Sequence, residues 1–272
     1  MKNYLCLYLI ATLCPLAAIA QLGDKKDKPG QEQVDPIPAE RIPPAPFLEV
    51  HQALETFQVA DGFVIEPVAF EPMVVNPVAL AFDGNGRMWV AEMRSYMPDL
   101  DGTGEDTPNG RIRVLEDTDG DGLIDKTTDF LDDLVMPRLV SLGYGGVFFN
   151  DGDALYFMKR QGLKPVGERE LIDADYAKGG NPEHKANGMI YGHDNWYYNA
   201  NSSSRYRRIE GQWVKEPTTS SRGQFGLTKD NAGRLYFNSN STLLVGDAFI
   251  PTFVNPMRAN QIGSNRVHSS RI

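Results

Sequence analysis

The stretch NGMIYGHDNWYYNAN at residues 187–201 recurs twice without gaps, as VALAFDGNGRMWVAE at 78–92 and as FGLTKDNAGRLYFNS at 225–239. Each copy reads as a short apolar strand, a turn containing Asp, Asn and Gly, and an aromatic strand. Gly and Asn suit such turns because they tolerate the positive backbone φ that a tight hairpin requires. The repeated unit is therefore predicted to be a β-hairpin.

A looser fourth copy, LVSLGYGGVFFN, begins at Leu139. The turns of the four copies begin at residues 83, 143, 192 and 230, so their separations are 60, 49 and 38 residues. Repeats of roughly 40–50 residues with several strands each are typical of β-propeller blades. The sequence therefore predicts an all-β propeller with about four recognisable blades. The alternative is a β-sandwich with similar hairpins.

The N-terminal segments differ in composition from the repeats. Lys2, the apolar run over residues 4–20 and the A-x-A pattern that ends at Ala20 predict a cleaved signal peptide over residues 1–20. Residues 21–46 are rich in proline and charge, which favours an extended linker. Residues 47–272 are assigned to the propeller domain, with a short helix predicted between Phe47 and Gln58.

Signal cleavage and the net charge together exclude several classes of binding partner and of cysteine-based site. Cleavage after Ala20 removes Cys6 and Cys14, which excludes a disulfide, a thiolate zinc site and a covalent c-type haem from the mature chain. The formal net charge of −9 makes nucleic acid and anionic lipid poor partners. We expect a periplasmic or extracellular protein with no membrane span after signal cleavage.

An aspartate-rich loop, DTDGDGLID at 117–125, has the spacing of a calcium loop. Side-chain oxygens at its first, third, fifth and ninth positions and one backbone carbonyl can converge on Ca²⁺. The predicted ligands are Asp117, Asp119, Asp121, Leu123 and Asp125. Thr128 occupies the position of the usual bidentate glutamate. The alternative is a solvated acidic turn.

His184 lies three residues before the strand that begins at Asn187. Residues just before the innermost strand of each blade gather at one mouth of a propeller channel, where a histidine can act as a general base. Glu183 beside it can ligate a cation. Arg138 and Arg222 occupy the matching places in the two neighbouring blades and would suit an anionic cofactor or a substrate carboxylate. The alternative is a loop histidine with ordinary surface arginines.

The segment EHKANGMIYGHDN at 183–195 resembles a motif of the soluble quinoprotein glucose/sorbosone dehydrogenases. Those proteins are six-bladed propellers that oxidise sugars with pyrroloquinoline quinone (PQQ) and Ca²⁺. The resemblance implies that His184 removes the proton of a sugar hydroxyl and that Glu183 replaces an aspartate. It also implies that Arg222 lies near an arginine that contacts the quinone. The G-G-R of the motif is Ala186-Asn187-Gly188 here, so that arginine is missing.

A longer stretch, over about residues 57–247, is similar to the N-terminal region of large exported proteins described as membrane-bound dehydrogenases. It includes GRIRVLEDTDGDGLIDK at 110–126. This likeness implies a six-bladed propeller of the quinoprotein dehydrogenase type, incomplete in this chain. Because the chain has no C-x-x-C-H motif, a cytochrome electron acceptor would lie outside it.

Three functional hypotheses follow. The first is an exported quinoprotein-like dehydrogenase domain that oxidises a sugar or alcohol with PQQ and Ca²⁺. The second is a non-catalytic propeller that binds glycans or a protein partner. The third is a truncated product without activity.

Overall fold

The computed structural model describes residues 39–41, 43–99, 102–218, 221–239, 242–248, 250 and 266–268. The predicted signal peptide and most of the predicted linker lie outside these residues. One short helix, α1 (Val50–Glu55), precedes the first sheet and lies within the range predicted for it. Helices in the described part of the chain are all too short or too polar to cross a membrane.

Four strands form each of the first two sheets. The first sheet contains β1 (Pro77–Phe82), β2 (Met88–Glu92), β3 (Gly110–Glu116) and β4 (Lys126–Leu134). The second contains β5 (Val140–Gly143), β6 (Gly146–Asp151), β7 (Ala154–Gln161) and β8 (Lys164–Asp173).

The third and fourth sheets repeat this plan. The third contains β9 (Asn187–Tyr191), β10 (Tyr197–Ala200), β11 (Ser204–Ile209) and β12 (Gln212–Pro217). The fourth contains β13 (Thr228–Lys229), β14 (Leu235–Ser239), β15 (Thr242–Asp247) and β16 (Arg266–His268). Every sheet keeps its strands in sequence order, and neighbouring strands are antiparallel. The predicted all-β propeller with four blades is confirmed.

The first strand of each blade lies nearest the propeller axis. β1 contacts β5, and β5 contacts β9. The hairpins that follow these strands begin at the predicted residues. The backbone N–H of Gly86 donates to the carbonyl of Asp83, and Asn195 and Gly233 donate in the same way to Gly192 and Asp230. In the second blade, Gly143 pairs with Gly146 across the turn.

Asp83 stabilises the first hairpin with both of its carboxylate oxygens. Oδ1 accepts hydrogen bonds from the backbone N–H groups of Asn85 and Arg87, at 2.9 and 3.1 Å. Oδ2 accepts from Arg87 Nε at 2.8 Å and from Trp89 Nε1 at 3.2 Å. Burial alone would raise the pKa of Asp83, but these hydrogen bonds favour the charged form and hold the pKa below its usual value. One carboxylate thus ties the turn to the aromatic second strand.

In two other blades an aspartate carboxylate likewise accepts a hydrogen bond from the second strand. Asp230 accepts from the backbone N–H groups of Ala232 and Arg234, from Arg234 Nε at 2.6 Å and from the Tyr236 hydroxyl at 3.1 Å. Desolvation opposes the charge on Asp230, but these bonds lower its pKa to about 2. Asp194 accepts from the Tyr198 hydroxyl at 2.6 Å. The second blade turns instead through the positive φ of Tyr144 and Gly145.

The hydrophobic core lies between adjacent blades. One cluster joins Trp89 of the first blade to Phe149 of the second. The next joins Phe148 of the second blade to Tyr197 of the third, whose ring centroids are 4.5 Å apart. A third cluster joins Tyr198 of the third blade to Leu235 of the fourth. Because successive strand residues point to opposite faces, the second strands of the two middle blades, β6 and β10, contribute to the core on both sides of their blades.

Replacing the turn carboxylate should destabilise the propeller. In Asp83→Asn, Arg87 Nε and Trp89 Nε1 lose their acceptor, which should lower the free energy of unfolding by about 1–3 kcal/mol. Urea denaturation at pH 7 measures the loss. Because the folded-state pKa of Asp83 is depressed, its contribution is present above the unfolded pKa of about 4 and fades as the pH falls below that value. Asp61→Asn, at an exposed turn, is the matched control, and equal midpoints for the two variants would refute the role.

Candidate functional site

A polar cavity of about 300 Å³ lies between the second and third blades. One wall is the end of β8 with the loop that follows it, from Asp173 to Gly179. A second part of the lining is residues 201–204, where a turn leads into β11. His184 and Lys185 complete the rim, and Tyr206 and Lys215 line the side formed by the outer strands. Carboxylate, ammonium, hydroxyl, amide and imidazole groups therefore face one small space.

Asp173 is the fixed anion of this cavity. Its Oδ2 accepts from Lys215 Nζ at 2.6 Å and from the Tyr206 hydroxyl at 2.7 Å. Burial raises the pKa of Asp173, but Lys215 and Tyr206 outweigh that effect and hold the pKa below its usual value. Burial and the bond to Asp173 raise the pKa of Tyr206 well above its usual value. At neutral pH Asp173 is therefore a carboxylate and Tyr206 a neutral phenol.

His184 lies at the rim of the cavity, at the end of the 3-10 turn Pro182–His184. Asn181 caps this turn by accepting from the backbone N–H of Glu183 at 3.3 Å. The His184 side chain is 49% exposed, and its Nε2 lies 3.4 Å from Glu183 Oε1. The side chain of Asn201 donates to the carbonyl of His184 and so joins this turn to residues 201–204 of the lining. Of the residues predicted from the sequence, His184 lines this cavity, and Glu183 lies beside His184 but is not among the lining residues.

The two predicted arginines lie elsewhere. Arg222 is 2% exposed, with Nε on Asp247 Oδ2 at 2.7 Å and Nη1 on the Thr218 hydroxyl at 2.8 Å. Arg138 is 1% exposed, and its Nη2 donates to the carbonyl of Gly152 at 3.0 Å. Burial lowers the pKa of Arg138. Neither guanidinium lines the polar cavity.

An anionic cofactor needs cationic groups that can reach it from an accessible surface. The guanidinium of Arg222 is committed to Asp247, and that of Arg138 is enclosed within its own blade. These two arginines therefore do not fit PQQ as the structure holds them. Their predicted cofactor-binding role remains a prediction, as does that of Glu183.

The aspartate loop connects β3 to β4. Asp117, Asp119 and Asp121 are exposed, and their ligand oxygens lie within 4.8 Å of one another. Hydrogen bonds from the backbone N–H groups of Gly122 and Gly120 lower the pKa of Asp117. Gly122 has a φ of +93°, which the sharp turn requires and other residues rarely adopt. Three charged carboxylates in this arrangement can bind a metal ion.

The two remaining predicted metal ligands behave differently. The carboxylate of Asp125 accepts from the backbone N–H of Thr118 at 3.1 Å and from its hydroxyl at 2.6 Å, so it stabilises the loop itself. The backbone N–H of Leu123 donates to Asp121 at 2.8 Å, while the role of its carbonyl remains a prediction.

A second cavity, of about 580 Å³, follows the propeller axis. Its lining comes from the inner strands of the first three blades, from the segments before β1 and β13, and from the second and third strands of the first blade. It includes Leu80, Val140, Met189 and Leu227. It has no titratable side chain among its described lining residues. The groups capable of acid–base or hydrogen-bonding chemistry are therefore concentrated in the polar cavity.

Sequence reasoning missed most of that cavity. Asp173 and Lys215 lie on outer strands of different blades, and no motif links them. The serine run at residues 202–204, directly before β11, is the one local signal that could have drawn attention to the wall.

Together, fold and site define an all-β propeller with a polar cavity between two blades, next to an exposed histidine. A family model matches residues 49–269, and the chain belongs to this family, which is described as a domain of unknown function, DUF7133. No curated protein matches the sequence.

Several solved structures share the fold at low identity. A gluconolactonase from Xanthomonas campestris is 14% identical with a TM-score of 0.44, over 66% of this chain and 60% of that one. The PQQ domain of pyranose dehydrogenase from Coprinopsis cinerea is 10% identical with a TM-score of 0.43, over 71% and 48%. Virginiamycin B lyase from Staphylococcus aureus is 12% identical with a TM-score of 0.39, over 66% and 55%.

The chain covers only 48–60% of the length of these three structures. Dehydrogenases, lyases and lactonases thus share the propeller fold, and the likeness extends no further than that fold.

Proposed function

We propose that the chain is an exported, sugar-binding propeller domain whose binding site is the polar cavity between the second and third blades. The lining of the cavity carries the proposal, because it offers hydrogen-bond donors and acceptors from several segments of the chain. Sugar hydroxyls both donate and accept, so they need such a mixed lining. A volume of about 300 Å³ is at the small end of the roughly 300–1,000 Å³ typical of small-ligand sites, which suits one or two sugar rings.

The charged side chains that line the cavity also favour a sugar ligand. Asp173 pairs with Lys215 at 2.6 Å, and Asp175 pairs with Lys178 at 3.0 Å. Paired charges form strong, directed hydrogen bonds to hydroxyl groups without requiring a charged ligand. The carboxylate of Asp173 is held in place by two partners, so it can accept from a ligand hydroxyl without first reorganising.

Titration of the purified chain with a panel of mono- and disaccharides tests this proposal. Asp173→Asn removes the fixed carboxylate and should weaken binding about tenfold, the equivalent of one hydrogen bond to a charged group. Isothermal titration calorimetry measures the change. Asp151→Asn is the matched control, since Asp151 also pairs with a basic residue, Arg169, but does not line the cavity. Equal affinities for the two variants, or no saccharide binding at all, would contradict the proposal.

His184 favours a second candidate function. Its half-exposed imidazole beside Glu183 is positioned to accept a proton from a hydroxyl in the cavity. That arrangement suits the sugar or alcohol dehydrogenase that the resemblance implies, with PQQ and Ca²⁺ as cofactors and a cytochrome acceptor outside the chain. The quinone would carry out the redox chemistry. The burial of Arg138 and Arg222 weighs against this candidate.

A dye-reduction assay separates the two functions. With PQQ, Ca²⁺ and an aldose panel, the dehydrogenase predicts dye reduction that is abolished in His184→Ala and kept in His193→Ala, a histidine in a hairpin turn. We expect saccharide binding without PQQ and no reduction of the dye. Reduction that depends on His184 would make the dehydrogenase the correct function.

We also propose that the aspartate loop binds Ca²⁺ and thereby stiffens the β3–β4 hairpin. At a Ca²⁺ concentration about a hundredfold above Kd, binding stabilises the folded state by about 2.7 kcal/mol, which should raise Tm by roughly 5–10 °C relative to EGTA. Differential scanning calorimetry measures this shift. It should disappear in Asp119→Asn and persist in Asp106→Asn, another exposed aspartate. If Ca²⁺ did not change the Tm, the proposed Ca²⁺ site in the aspartate loop would be ruled out.

A further inference from the structure

Two tyrosines are exposed together where the hairpin turns of the second and third blades meet. Tyr144, in the turn between β5 and β6, is 44% exposed, and Tyr191, at the end of β9, is 37% exposed. Both rings contact the ring of Tyr197, which is buried, with centroids 6.0 and 4.8 Å from it. Because they share this buried neighbour, Tyr144 and Tyr191 form one exposed aromatic surface, which we call the tyrosine platform.

The backbone of the β5–β6 turn does not call for an aromatic residue. Tyr144 has a φ of +47° and Gly145 one of +72°, so both central residues of this two-residue turn are in the left-handed region. Such turns favour Asn followed by Gly, and a bulky residue in the first of these positions is an outlier. The Tyr144 ring also contacts Trp213 and Phe148, with centroids 5.7 and 6.4 Å away, and nearly half of the residue still faces solvent.

Polar groups from both blades adjoin the platform and fix one another. The backbone N–H of Arg208 donates to the Tyr144 hydroxyl at 3.4 Å, and Arg208 Nη2 lies 3.1 Å from Glu170 Oε2. The same carboxylate accepts from Trp213 Nε1 at 3.0 Å and lies 3.7 Å from Lys159 Nζ. These partners hold the Glu170 carboxylate and the Arg208 guanidinium in place beside the exposed rings.

Exposed rings next to fixed polar groups suit the chemistry of a sugar ring. A pyranose has a face of C–H groups, which stacks on the negative face of an aromatic ring, and hydroxyls around its edge that donate and accept hydrogen bonds. The Tyr191 hydroxyl donates to Asn195 Oδ1 at 2.6 Å, and the exposed amide of Asn195 adds a further polar group for such hydroxyls. The platform therefore offers both kinds of contact that a saccharide needs.

The platform is separate from the polar cavity, although the same strands contribute to both. Glu170 and Asp173 are three residues apart on β8, and Trp213 and Lys215 are two apart on β12. A strand rises about 3.3 Å per residue, so the two groups of side chains are roughly 7–10 Å apart along these strands. Neither platform tyrosine lines the polar cavity. A saccharide can therefore contact the platform without entering the cavity.

We infer that the tyrosine platform is a second carbohydrate-binding site, which stacks a ring of a saccharide chain at the surface of the second and third blades. Tyr144 and Tyr191 provide the apolar contact, while Glu170, Arg208 and Asn195 bond to the hydroxyls at the edge of the sugar ring. Such a surface site attaches the domain to a polysaccharide. The inference does not depend on the polar cavity, so it stands even if that cavity binds no sugar.

Calorimetry with soluble hexasaccharides of glucose, xylose, mannose and N-acetylglucosamine tests the inference. Tyr144→Asn removes the ring and suits the left-handed turn, so the affinity for the hexasaccharide that binds best should fall about tenfold. Tyr144→Phe keeps the ring and should stay within about twofold of the unmodified chain. Phe82→Ala is the matched control, because Phe82 is 61% exposed directly before the corresponding turn of the first blade, and it should leave the affinity unchanged.

Saturation-transfer NMR distinguishes contact with the sugar from a role in folding. The experiment uses Asp173→Asn, which weakens the polar cavity. Irradiation of the aromatic protons should saturate the C–H protons of the hexasaccharide in this variant, and adding Tyr144→Asn should remove most of the transfer. A Tyr144 that only covers the core would lower the Tm and leave affinity and transfer unchanged. If Tyr144→Asn does not fold, Tyr191→Ala provides the same comparison.

Each result decides the inference. A loss of hexasaccharide affinity in Tyr144→Asn that also occurs in the Asp173→Asn background supports a second site. If hexasaccharides bind and the tyrosine variants change neither affinity nor transfer, the platform is not a sugar site. If no hexasaccharide binds, the inference is wrong, whereas the proposal for the polar cavity is decided by mono- and disaccharides. Aromatic surfaces also bind polyproline helices, so Tyr144-dependent binding of a polyproline peptide without hexasaccharide binding would overturn the inference.

Discussion

The packing of the four blades against one another depends on pairs of adjacent bulky residues in the second strands. The two side chains of each pair point to opposite faces of their blade. Phe148 packs toward the third blade and Phe149 toward the first, while Tyr197 and Tyr198 divide their contacts between the second and fourth blades. A shift of one residue in the register of a second strand would exchange the faces to which these side chains point, and would remove them from the core clusters that they now fill. The aspartates in three hairpin turns bond the turn and the second strand at once, and so they fix that register. Blade packing, and with it the gap between blades where the cavity lies, follows from this constraint.

Much of the fold could be predicted because its determinants are local. The turn residues and the aromatic strand lie within fifteen residues of each other, so a gapless repeat reveals them. The hairpins at Asp83, Gly143, Gly192 and Asp230 formed as expected. The place of His184 just before β9 could also be anticipated from the repeat register, while its predicted position at a channel mouth stays a prediction.

The environment of the site could not be predicted in the same way. Arg138 and Arg222 occupy the expected chain positions, but their side chains turn inward to partners that a motif does not specify, Gly152 and Asp247. Asp173 and Lys215 meet across two blades because of how the blades pack. Backbone position follows from a repeat, whereas side-chain direction depends on partners far along the sequence. A resemblance carried by the histidine motif therefore says little about the groups that would hold a cofactor.

A crystal structure of the chain with a saturating hexose or hexuronate would test the central claim most directly. The account predicts ligand density in the polar cavity, with a ligand hydroxyl within hydrogen-bond distance of Asp173 and the ring between residues 173–179 and residues 201–204. Density confined to the axial cavity or to the outer surface, or an empty polar cavity at saturating ligand, would contradict it.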